Sequence, residues 1–236
     1  MIKNIVENYK NINWDILSEE NVKINANKCN FKNDFVWILD PLDGTKDFIQ
    51  GTGNYAMHLA LNFKNKPYLG FVLIPEKEEL WIANHKSVWC ENRNGIIKKT
   101  NLSIKSNFNE MIIVTSKNHK NQVLKDLIKK LNFKEVIVMG SIGCKIASIL
   151  RGDSDIYISL SLPGESCPKD WDFAAPAAVL KGAGGAITDL NNKELTYGNC
   201  RFEQGNIIVA SSSKITHEKV CLEIKDLIKK HKIYPL

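Results

Sequence analysis

Nowhere in this sequence is there an apolar run long enough to cross a bilayer, a C-x-x-C pair, or a dense basic tract alternating with aromatics. The first absence removes a membrane-spanning reading. The second leaves six cysteines scattered at 29, 90, 144, 167, 200 and 221, with neither a redox motif nor a zinc-ligand spacing. No secretory leader precedes them, so the expected setting is a reducing cytoplasm. Cys144 and Cys221 fall in expected helices and read as packed thiols. Cys167 has no histidine neighbour to activate it as a nucleophile. The third absence bears on partners. A formal net charge of +6 is carried almost wholly by dispersed lysines, which argues against a nucleic-acid polymer and suits a small phosphorylated substrate.

What the chain does have is 236 residues, enough for one large domain or two intimate lobes. Alternating apolar residues predict a short strand at 14–18, a buried strand at 35–39 and a strand at 55–63. In the last of these Tyr55, Met57, Leu59, Leu61 and Phe63 are expected on the covered face. A hairpin turning at 75–78 and a short strand near 87–90 complete a largely antiparallel lobe over 1–100, in which His58 is expected to face solvent or pack locally. The polar stretch 99–109 reads as a boundary. Beyond it strands (111–115, 135–139, 155–160, 186–190, 206–210) alternate with helices (121–131, 141–150, 173–181, 215–231), an α/β lobe over 101–236. The whole is of α+β class.

The chemistry concentrates in Asp40-Pro41-Leu42-Asp43-Gly44-Thr45. An apolar strand ends in a carboxylate, Pro41 stiffens the backbone directly after it, and Gly44 permits a tight turn beside the Thr45 hydroxyl. Asp40 and Asp43 on such a turn form a hard-cation site, with the Leu42 carbonyl as a further ligand. Glu19 and Glu20 are adjacent carboxylates at a strand end, and a nearby cation gives the pair a reason to coexist. Asp172 stands where a loop becomes a helix, a place that favours carboxylates. Converging, these groups suit two or three Mg2+ ions and a phosphate ester. Gly140-Ser141, at another helix start, offers amides suited to a phosphate oxygen.

These segments resemble the Mg2+-dependent, lithium-sensitive phosphomonoesterases of the inositol monophosphatase superfamily. The first signature of that family corresponds to Asp40-Pro41-Leu42-Asp43-Gly44-Thr45. Its second corresponds to Trp171-Asp172-Phe173-Ala174-Ala175-Pro176 followed by Gly184-Gly185, and its upstream acidic pair to Glu19-Glu20. All three occur in the family's order, from about Trp14 to the C-terminal helix. The resemblance implies a layered α/β sandwich and direct in-line attack of a metal-activated water at phosphorus. By position, Glu19, Asp40 and the Leu42 carbonyl would bind an activating Mg2+, and Asp40, Asp43 and Asp172 a second. Glu19 and Thr45 would orient the water, Gly44 and Thr45 would offer amides to the phosphate, and Glu20 would support from behind.

Lys46-Asp47-Phe48-Ile49 is similar to the continuation of the first signature in 3'(2'),5'-bisphosphate nucleotidases of the CysQ type. The 115–119 segment resembles that subgroup's Ser-Arg-Ser-His. This implies hydrolysis of adenosine 3',5'-bisphosphate to AMP and phosphate, with Lys117, His119, Ser141, Lys145 and Lys169 contacting the substrate. Inositol-1-monophosphatase or a related sugar phosphatase is the alternative within the class. A non-catalytic nucleotide-binding or assembly subunit is the alternative outside it. The sequence departs from the family in having a short leader, without the two N-terminal helices and the Thr-Ala-Asp type segment usual before the acidic pair. This difference reads either as a truncated sequence or as an N-terminally shortened fold; a fold so shortened would leave sheet surface for a partner subunit, such as a second copy in a homodimer, or would carry weak activity.

Overall fold

Alternating apolar positions sort twelve strands into two sheets in the computed structural model, which describes residues 13–22, 31–84, 86–116, 122–199 and 201–235. The first sheet runs in chain order through β1 (Trp14–Ser18), β2 (Phe35–Asp43), β3 (Ala56–Phe63), β4 (Lys66–Ile74), β5 (Glu79–Ala83), β6 (Val88–Glu91) and β7 (Ile97–Lys98). Only β1 and β2 pair in parallel; the remaining neighbours form an antiparallel meander. The second sheet has the order β11-β12-β10-β8-β9. It is built from β8 (Ile112–Thr115), β9 (Glu135–Val138), β10 (Ile156–Leu160), β11 (Ala186–Asp189) and β12 (Ile207–Ser211).

Helices make the other layers. α4 (Ile142–Arg151) and α5 (Asp170–Gly182) lie between the sheets. α4 touches β3 and β4 on one side and β8 and β10 on the other, while α5 spans β2 to β5 and reaches β11. On the far face of the second sheet, α3 (Gln122–Leu131) and α6 (Lys214–His231) bury Leu124, Leu127, Val220, Ile224 and Ile228 in a separate cluster. Two short helices, α1 (Glu19–Val22) and α2 (Thr45–Ile49), follow β1 and β2. The result is a layered α+β fold. Among the described residues no helix is long and apolar enough to cross a membrane.

Three features depart from the sequence reading. β2 does not end at Leu39 but continues through Pro41 to Asp43. Asp40 pairs with His58 and Asp43 with Ala56, so Pro41 and Leu42 together oppose Met57. A bulge of this kind tolerates a residue that has no N–H to give the ladder. The faces of β3 are also reversed: Ala56, His58, Ala60 and Asn62 are the buried set, and Met57, Leu59, Leu61 and Phe63 are half-exposed. Small residues win the inner face because the alanine-rich α5 packs closely there. At Gly70 of β4 an added Cβ would stand 2.5 Å from the Ala178 Cβ and 3.0 Å from the Ala175 carbonyl. α5 itself starts at Asp170, three residues before the apolar run that announced it, so Asp172 lies inside its first turn.

Candidate active site

The bulge in β2 and the first turn of α5 bring Asp40, Asp43 and Asp172 together, with one carboxylate oxygen from each lying within 4.8 Å of the other two. Asp40 is only 2% exposed, and its Oδ1 accepts the Leu42 N–H at 3.0 Å. Burial, then the charges of Asp43 and Asp172, push its carboxyl up to about 8. Asp172 accepts the Lys169 N–H at 2.6 Å, closing the start of α5, and burial followed by Asp43 pushes it up to about 7. Glu19, the first residue of α1, is outside the tight trio but close enough to raise both carboxyls by its charge. Glu20 beside it is exposed.

The raised carboxyls of Asp40 and Asp172, crowded against Asp43, mark a place where a positive charge would be favoured. An all-oxygen set of this kind fits a hard divalent cation of the Mg2+ type. The Leu42 carbonyl, set between the two aspartates, accepts the Thr45 hydroxyl at 3.2 Å. Gly44 has φ +88°, and a Cβ there would meet the Asn54 carbonyl at 2.8 Å and the Ser141 Cβ at 3.3 Å. Glycine is therefore what lets this turn close against the start of α4.

Asp43 has a second task. Its Oδ2 accepts the Ser141 hydroxyl at 2.7 Å and the backbone N–H groups of Ile142 and Gly143, the latter at 3.2 Å. The carboxylate thus caps α4, where free amides and the helix dipole favour negative charge. This changes the reading of Gly140-Ser141. The amides at that helix start are spent on the protein's own carboxylate, and the Ser141 hydroxyl is shared between Asp43 and the Cys144 N–H. Ser141 takes φ +40°, a conformation uncommon for a non-glycine residue and held here by its side-chain bonds.

Lys145 is buried one turn along α4, its Nζ 3.2 Å from the Ser141 carbonyl and 5.3 Å from the Tyr157 ring centroid. Burial pushes this ammonium down, against the opposing pull of Asp43, Asp47 and Asp172. Lys169 ties its ammonium to Glu203 at 3.0 Å. Lys117 and His119 lie outside the described residues. A cleft of about 1260 Å³ opens over Asp43, Thr45, Lys145 and Asp172, with Tyr157, Ser159, Ser161 and Cys167 among its walls.

Sequence reasoning missed Asp47, Tyr157 and His58. Asp47 is 4% exposed and accepts the Thr52 hydroxyl at 2.6 Å; its carboxylate fills the space a side chain at Gly140 would need. His58 does not face solvent. It is 1% exposed, and burial holds its imidazole below the usual value. The signal for it lies in alternation: a lone histidine on the face of β3 that carries Ala56 and Ala60.

Fold and site together define a layered α+β protein with an acidic, cation-ready centre at the start of two helices. The chain belongs to the inositol monophosphatase family, which it matches over residues 1–229. It is 31% identical over 182 residues to the 3'(2'),5'-bisphosphate nucleotidase CysQ of Buchnera aphidicola subsp. Acyrthosiphon pisum, covering 77% of this chain and 64% of that one. To the CysQ nucleotidase of Escherichia coli K12 it is 30% identical over 161 residues, 68% of this chain and 61% of the other. The chain therefore spans less than two thirds of the length of these relatives. Among solved structures, Staphylococcal IMPase-II superposes with a TM-score of 0.75 at 22% identity, covering 98% of this chain and 84% of that one. A Thermotoga maritima IMPase gives 0.73 at 22%, covering 97% and 80%.

Proposed function

We propose that the chain is a Mg2+-dependent phosphomonoesterase that releases phosphate from adenosine 3',5'-bisphosphate. The observation that carries the reading is the Asp40–Asp43–Asp172 cluster, whose oxygens, one from each residue, converge within 4.8 Å and which opens on the cleft through Asp43 and Asp172. Asp40, the Leu42 carbonyl, Asp43 and Asp172 would hold the metal, with Glu19 beside them. When bound, such a metal neutralises phosphate charge and lowers the pKa of a water molecule. The chain's own groups do the rest. Glu19 and Thr45 would orient the attacking water, the Glu19 carboxylate being the group able to take up a proton, while Gly44 and Thr45 would position the phosphate. Lys145, already buried beside the carboxylates, adds positive charge where the substrate's own negative charge accumulates.

Preference for a nucleotide is supported by the curated relatives, both named as 3'(2'),5'-bisphosphate nucleotidases. It is supported also by a cleft of about 1260 Å³, larger than most small-ligand pockets and walled in part by Tyr157. The test is phosphate release from adenosine 3',5'-bisphosphate and from inositol 1-phosphate, each with and without Mg2+. Asp43→Asn is expected to lower the Mg2+-dependent rate about 100-fold or more. Folded wild-type protein that releases phosphate from neither ester would overturn the reading, and release from inositol 1-phosphate alone would redirect the substrate.

A further inference from the structure

His58 belongs to no motif in the sequence and to none of the metal-ligand positions, yet it touches all three segments that build the site. Its Nδ1 lies 3.3 Å from the carbonyl oxygen of Trp171, the residue before Asp172. Its Nε2 lies 3.3 Å from Asp43 Oδ2, outside hydrogen-bond geometry. The ring also fills the space above Gly143 in the first turn of α4. A Cβ at that glycine would overlap Nε2, and would stand 2.9 Å from Val72 Cγ1 and 3.0 Å from the Ala56 Cβ. Ala56 and Ala60, on the same face of β3, are too short to bridge this gap.

One imidazole is thus packed among the end of β2, the first turn of α4 and the first turn of α5. Asp43 and Asp172 come from different segments, and no covalent connection sets their separation. Their spacing rests on non-covalent packing and hydrogen bonds, and His58 is a side chain that meets both the Asp43 carboxylate and the backbone next to Asp172. We infer that His58 is a positioning residue, holding Asp43 and the start of α5 at the separation that lets the carboxylate cluster take up a divalent cation. This rests on the reading of the cluster as a metal site. Groups behind the ligands commonly change metal affinity about 10- to 100-fold when removed. A phenyl ring at 58 would keep most of the packing volume but leave the Trp171 carbonyl without its nitrogen partner.

The experiment measures Mn2+ affinity directly, by the electron paramagnetic resonance signal of the free ion, in the whole chain and without substrate. Wild type, His58→Phe and His58→Asn are compared, with a thermal melt of each. His58→Phe is expected to weaken Mn2+ binding about tenfold while melting within about 5 °C of wild type. His58→Asn, which keeps a side-chain donor, is expected to recover part of the loss. A purely structural role would leave affinity unchanged in any variant that stays folded. Affinities within about twofold of wild type in both variants would overturn the inference. If His58→Phe does not fold, His58→Asn and His58→Gln decide by the same criterion, a loss of more than about twofold supporting the role. Wild-type protein that binds no Mn2+ would overturn the metal reading and this inference with it. Tight wild-type binding with unaltered variants would remove only the role of His58.

Discussion

Asp40 shows the conflict between stability and function in a single side chain. It is buried against two other carboxylates, and it accepts a hydrogen bond from the Leu42 N–H, which an amide oxygen can accept equally well. Asp40→Asn is therefore expected to raise the stability of the metal-free protein by about 1 kcal/mol and to abolish the rise in melting temperature that Mg2+ produces. Differential scanning fluorimetry with and without Mg2+ checks both halves. A second residue reports on pH. His217 of α6 is 1% exposed, with Nδ1 2.6 Å from the Ser211 hydroxyl and Nε2 2.8 Å from the Thr188 hydroxyl, and burial lowers it to about 4. The unfolded chain takes up this proton first as the pH falls. The contribution is therefore complete above about pH 6.5 and is lost toward pH 4, about 3 kcal/mol in all. Urea melts at about pH 7 and pH 4.5 should show a smaller pH dependence in His217→Gln than in wild type. At this scale Asp40, Asp43 and Asp172 were legible because their motifs fall at strand ends and helix starts, and the structure brings them together. His58 and Asp47 were not, because their roles come from long-range packing against α4, which no local spacing encodes.

Among the elements, α5 carries the most. It supplies Asp172, and its alanine face presses on β4 at Gly70, with Ala178 at 2.5 Å from where a Cβ would be. Gly70→Val should destabilise the fold by about 1–3 kcal/mol and displace α5. The Mg2+-dependent rate should fall further than the stability loss alone explains. Measuring kcat at a temperature where circular dichroism shows the variant fully folded separates the two effects. Element type was well encoded. Apolar periodicity located the strands 56–63 and 156–160, and the helix expected over 141–150 ends at Arg151 on a C-cap glycine, Gly152, at φ +82°. What failed was orientation. The larger side chains of β3 suggested its covered face, whereas close helix packing selected Ala56 and Ala60 for the inside. The bulge at Pro41 was read as a turn for a related reason: proline excludes a regular ladder, but only the partner strand tells whether the chain then reverses or bulges.

In the whole molecule, strands of the first sheet all precede residue 100, yet the helices that cover their inner face come from the second half of the chain. The principal core joins Leu17, Val36 and Trp81 to Ile146, Phe173 and Ala210 in one cluster. Neither half can keep its apolar face dry without the other, so unfolding should be a single transition. Guanidinium titrations followed by far-UV circular dichroism and by tryptophan fluorescence are expected to coincide; two separated midpoints would contradict a shared core. The tryptophans suit this test, since Trp14, Trp37, Trp81 and Trp89 belong to the first sheet and Trp171 to α5. The same interleaving joins the cluster of acids to the framework. Asp43 is one of the three converging carboxylates and also the cap of α4, so any ion that draws its oxygens away from Ile142 and Gly143 alters the shielding of those two amide protons. Two backbone signals, remote in sequence from Asp43, thereby become a built-in spectroscopic gauge of how full the centre is.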